Sequence, residues 1–287
     1  SDWSEYFGFQ PADGSGDVFF HLDPLWSHAE IDAVAIDWYV PLSDWREGNH
    51  LDAAVAKGPD DSAYLAANVE GGEGYDWYYA SAADRDTQNR TAITDGAHGK
   101  DWVFRYKDLR NWWSQEHVNR KAGVELGNAT SWVPESKPIW LTELGCPAVD
   151  KGSNQPNVFI DPKSAESRLP HYSSGARDDL IQRRYIEAVT HYWGGGASPV
   201  SVVYGGPMID PADIHVWTWD APPFPDFPVR SDVWSDGGNW RLGHWLNGRT
   251  GLSPLALIVR EIGQRAGVEI DVTDLGGLVS GFVIDRS

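Results

Sequence analysis

The stretch from Lys137 to Pro147, KPIWLTELGCP, constrains this chain more than any other. Ile139 to Leu144 is a short apolar run with aromatic and β-branched residues, bracketed by Pro138, Gly145 and Pro147. Such a run reads as a strand buried on both faces, the kind found in parallel sheets covered by helices. One residue breaks it. Glu143 sits at the carboxyl end, just before the chain turns. A carboxylate there either faces water harmlessly or stands at the rim where α/β folds keep their chemistry. The catalytic reading is preferred because the flanking strands end in the same way.

The second such strand, Ile31 to Leu42, has an apolar interior and ends in Asp37-Trp38-Tyr39. Alternation turns Asp37 and Tyr39 to one side, opposite Ile36 and Trp38. Two polar groups at a strand end repeat the logic of Glu143, although a turn-capping Asp37 and a core Tyr39 would read the same. The first ten residues, SDWSEYFGFQ, resemble the end of a strand, with Glu5 a candidate second carboxylate or simply a solvated one. A third run, Ile214 to Asp220, carries Trp217, Trp219 and Asp220. There Trp219 either supports a sugar ring or forms a wall of the core.

Helices are expected between these strands. Residues 60–70 have Asp60, Asp61 or Ser62 as caps and Gly71-Gly72 as a stop. Asp178 to Trp193 carries Ile181, Tyr185, Ala188, Val189 and Tyr192 on one stripe. The connection 73–135 is longer than two strands require, and such length tends to be functional or a docking surface. In it His98, Arg105 and Tyr106 are candidates to reach a ligand. His98 and His117 lack metal-ligand spacing, so no metal site is expected.

Composition narrows the function. With 42 acidic against 23 basic residues the formal charge is −19, which argues against a nucleic-acid partner. No apolar run approaches the ~18 residues of a membrane span, and no signal-peptide pattern opens the sequence. Cys146 is the single cysteine, which excludes an internal disulfide and reads as a small buried hydrophobe. Sixteen Trp and 11 Tyr, many beside Asp or Asn, suit sugars, whose C–H faces pack on rings while their hydroxyls seek acceptors. A tryptophan-rich core accounts for most of these rings equally well.

Strand ends with helices between them give a β-α-β-α order and a parallel sheet, hence a barrel-type α/β fold with its site at the carboxyl ends. The runs SDWSEYFGFQPADGSGDVFFHLDPLW, AIDWYVPLSDW, GGEGYDWYY, TDGAHGKDWVFRYKDLRNWW, KPIWLTELGCPAVDKGSNQPNVFIDPK, SSGARDDLIQRRY, VYGGPMID and VWTWDAPPFP through NWRLGHWLNGR closely resemble one family. It is the glycoside-hydrolase-like TIM-barrel domain of the large tail hub protein of gene transfer agents and related phages. The resemblance covers residues 1–251. It implies strands five to eight of a (β/α)8 barrel, the C-terminal half. Residues 252–287, a helix followed by strand-like runs, look like the start of the phage-tail domain that follows.

In barrel glycosidases of this kind the nucleophile is a Glu ending strand seven, which falls on Glu143, and the acid/base Glu ends strand four, a motif that no residue here matches. The resemblance further implies Asp37, Trp38 and Tyr39 beside the nucleophile, and Trp217 or Trp219 against the sugar. It implies a cell-envelope glycan as substrate, peptidoglycan or a surface polysaccharide, and other tail or baseplate proteins as partners. No cofactor is expected. The location implied is the virion or gene transfer agent tail, assembled in the cytoplasm and acting at the target cell envelope. A non-catalytic structural or glycan-binding role in the hub is the alternative, and a one-chain pair of Glu5 and Glu143 is a third. Half a barrel would leave sheet edges unpaired and prone to self-association.

Overall fold

The computed structural model describes residues 1–159 and 167–217, together with Gly263, Ala266 and Gly267. Its ordered elements are α1 (Asp23–Trp26), β1 (Val34–Trp38), α2 (Ser62–Ala67), β2 (Trp77–Tyr78), α3 (Ala82–Thr87), β3 (Thr91–Ala92), α4 (Leu109–Ser114), β4 (Val118–Lys121), β5 (Val124–Ala129), β6 (Ile139–Leu144), α5 (Asp179–Tyr192) and β7 (Ile214–Val216). The end of the expected strand Ile214–Asp220, from residue 218 on, the amphipathic piece 240–247 and the tail elements beyond 251 lie outside the described residues, apart from three isolated positions.

The main sheet runs β1-β6-β7, parallel throughout. Asp2 extends it by a parallel bridge to Asp37, in which Trp3 N–H donates to the Asp37 carbonyl at 3.0 Å. Four successive chain segments therefore lie side by side in sequence order. No closed barrel forms among the described residues. The covered face of β1 holds Val34, Ile36 and Trp38, all fully buried, and helix α5 adds Ile181, Tyr185 and Val189 to the same core. Asp178 caps α5, its carboxylate accepting from Leu180 N–H at 3.1 Å and Ile181 N–H at 3.2 Å. Tyr185 then ties the helix to the strand end by donating to the Val40 carbonyl at 2.8 Å.

The long connection 73–135 is a packed structure of its own. It contains an antiparallel hairpin, β4–β5, which the sequence reading does not anticipate. Its two-residue turn is Ala122-Gly123, both left-handed (φ 49° and 75°). An alanine at the first position hides the turn, because Asn or Gly is the usual signal there. The hairpin docks on the N-terminal segment through a Val18–Arg120 bridge. Beneath it His117 is fully buried, stacked on Phe20 (4.4 Å) and parallel to Trp132 (5.5 Å). Most of the described tryptophans are core, including Trp112, Trp113, Trp132 and Trp193.

Candidate functional site

The site is set by an irregularity in β6. Along β1, Ile36 faces Leu141 while the next residue, Asp37, faces Glu143. Across the other edge, the three-residue step from Leu141 to Leu144 matches a two-residue step from Ile214 to Val216. Both neighbours thus count one extra residue in β6 at Thr142-Glu143, a β-bulge of the kind that re-aims side chains near active sites. The burial pattern agrees: Leu141 and Leu144 are buried, and Thr142 and Glu143 are both partly exposed. Strict alternation would have put these two neighbours on opposite faces.

The bulge lets both residues meet the polar side of β1. Thr142 Oγ1 donates to Asp37 Oδ1 at 2.8 Å, and Tyr39 Oη donates to Glu143 Oε2 at 2.6 Å. Burial, then the hydrogen bond to Glu143 and its charge, push the Tyr39 phenol far above its ordinary range. The phenol stays protonated and is a permanent donor to the carboxylate. The loop after Tyr39 is anchored by buried Asp44, which accepts from Tyr79, Gln88, Arg90 and Arg46. These hydrogen bonds oppose the upward push of burial and hold the Asp44 carboxyl below its usual range.

A cavity of about 170 Å³ opens beside this pair, lined by Tyr39, Glu143, Cys146, Pro147, Pro156, Asn157, Phe159, Gln182 and Trp217. Glu143 is the one carboxylate among these lining residues. Trp217 is half exposed, and its backbone N–H donates to the Leu144 carbonyl at 2.9 Å. This approach depends on Gly145, where a Cβ would stand 2.2 Å from the Trp217 carbonyl oxygen. Gln182 reaches in from α5, its Nε2 donating to the Cys146 carbonyl at 2.9 Å. Burial, then the charge of Asp178, push the Cys146 thiol well up, so it lines the cavity as an unreactive wall. No cluster of three or more metal-ligating side chains occurs among the described residues.

The remaining sequence candidates divide clearly. Trp38 is fully buried in the core and is not among the residues that line the Glu143 cavity. The same alternation that turns Asp37 and Tyr39 outward drives Trp38 in. Tyr106 packs edge-on against Trp3 at 4.8 Å, under Gly74, and lines none of the Glu143 cavity. Glu5 is exposed and lines a separate groove, so it does not join Glu143 in one cavity. His98 contacts the Gly123 carbonyl at 2.9 Å and Arg105 pairs with Asp101, so both act within the connection. Trp219 and Asp220 lie outside the described residues. Residues missed from sequence are Thr142, Pro156, Asn157, Phe159 and Gln182. Only the strand-adjacent Thr142 carried a signal, as a second polar residue in an apolar run.

Parallel strands with a carboxylate, a phenol and an exposed indole at or just beyond their carboxyl ends, and helices packed behind, make this an α/β protein built on a parallel sheet. The pattern of the GTA TIM-barrel-like domain matches residues 1–228, and the chain belongs to that family, which associates it with gene transfer agents. It also shows 27% identity to the L-fucose isomerases of two Haemophilus influenzae strains, PittEE and ATCC 51907, over 59% of this chain and 34% of theirs. The chain thus spans about a third of the length of these curated relatives.

Proposed function

We propose that this domain is a glycoside-hydrolase-like part of a gene transfer agent or phage tail hub, acting on a cell-envelope glycan such as peptidoglycan or a surface polysaccharide. The observation that carries this reading is the 2.6 Å hydrogen bond from a permanently protonated Tyr39 to Glu143, at a strand end beside an exposed indole. Glu143 is the nucleophile: its carboxylate bonds to the anomeric carbon as the glycosidic C–O bond breaks, the acid/base carboxyl protonates the leaving oxygen, and water then hydrolyses the glycosyl ester. Tyr39 orients it and keeps one oxygen occupied, so the other is free to attack. Asp37 braces the bulge through Thr142, and Trp217 offers the face on which a sugar ring stacks. The partial likeness to enzymes named for a sugar, L-fucose, agrees with a sugar-handling cavity. The hub domain is taken to end near Gly251, with a following tail domain over 252–287.

A retaining route also needs an acid/base carboxyl about 5–5.5 Å from the nucleophile. Among the described residues that line its cavity Glu143 is the one carboxylate, and the family resemblance leads one to expect the acid/base group at the end of strand four. This observation favours a second reading, in which the domain binds glycan without cleaving it. One experiment separates the two. The full-length protein is incubated with purified cell-envelope glycan, and both co-sedimented protein and new reducing ends are counted. New ends establish the hydrolase. Co-sedimentation without new ends establishes the binding domain, and neither would overturn both readings.

A further inference from the structure

A second groove, of about 340 Å³, lies on the same rim and is lined by Ser4, Glu5, Phe7, Phe9, Gln10 and His21, among others. It follows directly from the sheet. Asp2 bridges Asp37, and Asp37 faces Glu143, so Asp2 stands two strand spacings, about 10 Å, from Glu143. Glu5 and Tyr6 N–H groups both donate to the Asp2 carbonyl, so the groove begins within one turn of that strand end.

The lining has the chemistry of a sugar subsite. Phe9 is 53% exposed, with His21 5.5 Å from its ring and 5.5 Å from the Phe19 ring, on which it stacks. This is an exposed aromatic surface rather than a core contact. It is rigid: Phe9 and Phe19 exchange backbone hydrogen bonds of 2.8 and 2.9 Å, and Tyr6 beneath is buried, donating to the Tyr106 carbonyl at 2.9 Å. At the edges, Gln10 Nε2 is committed to the Val103 carbonyl at 2.8 Å, which leaves its amide oxygen as an acceptor. Glu5 adds an exposed carboxylate. Aromatic faces edged by acceptors and a carboxylate, with no Lys or Arg among the lining residues, suit a neutral polyol better than a phosphate.

We infer that this groove is a distal subsite for the same glycan chain, so that the domain grips a polymer across its rim rather than a single sugar. The inference rests on the glycan reading of the Glu143 cavity. It is tested with purified envelope glycan cut into disaccharides and into hexasaccharides or longer, titrated calorimetrically into the full-length protein. The wild type binds the longer fragments about tenfold more tightly, the size of one lost aromatic contact. The Phe9→Ala/His21→Ala variant, whose changes lie on the surface, loses that advantage and keeps its disaccharide affinity; Glu5→Gln reduces the advantage independently. Equal affinity of the wild type for both lengths, or an advantage that survives in the variants, overturns this subsite while leaving the Glu143 reading intact. Binding of no fragment at all overturns both.

Discussion

Tyr39 and Glu143 show how one hydrogen bond divides a carboxylate into a held oxygen and a free one. A hydrogen bond to a charged group is worth about 1.5–3 kcal/mol. Tyr39→Phe is therefore expected to lower kcat for glycan cleavage about 10- to 100-fold with little change in melting temperature, measured by reducing-end release and thermal melts. A fall in stability without a fall in rate would make Tyr39 a purely structural residue. Lys107 makes a different point. It is fully buried, donates to the Asn68 and Gly71 carbonyls at 2.9 Å, and burial pushes its ammonium down to about 7. The unfolded chain keeps that proton up to the ordinary lysine range near 10.4. Between these limits the unfolded state binds more protons, so stability rises with pH, by up to about 1.4 kcal/mol per unit. Urea melts from about pH 7 to 9.5 should show this rise in the wild type and a flatter profile in Lys107→Met. Parallel profiles would contradict the assignment.

At the scale of elements, the bulge in β6 and the glycine after it build the site. Gly145 admits the Trp217 backbone, and a Cβ there would sit 2.2 Å from the Trp217 carbonyl oxygen. Gly145→Ala is expected to cost about 1–3 kcal/mol, as overpacking does, lowering the melting temperature by several degrees and displacing the indole. Trp217 fluorescence in a background depleted of other surface tryptophans reports the displacement, and an unchanged Tm and spectrum would contradict it. The strands themselves were legible because apolar runs between Pro and Gly leave few options. Helix α5 was legible from its stripe and its Asp178 cap. The bulge was not, since it arises from pairing on both sides of β6 and leaves only a Thr beside a Glu in the sequence. The hairpin β4–β5 was missed because Ala122 occupies a left-handed turn position that alanine rarely takes.

At the scale of the whole molecule, the aromatic richness pointed toward sugars, but the rings divide between two tasks. His117, Trp112 and Trp132 are packed into the core around the long connection, while Trp217 and Phe9 face outward at the rim. Composition could not separate them, because burial is decided by which strand or loop carries each ring. The same holds for the carboxylates: Glu5 and Glu143 look alike in sequence, and the sheet sets them in different cavities. What joins these features is the parallel arc whose carboxyl ends gather Asp2, Asp37 and Glu143 side by side. The most direct measurement of whether that arc is a catalytic rim compares the full-length protein with its Glu143→Gln variant on purified cell-envelope glycan. Both are expected to bind the glycan, and only the wild type to release new reducing ends. Equal release from the two would remove Glu143 from the chemistry and contradict the account at its centre.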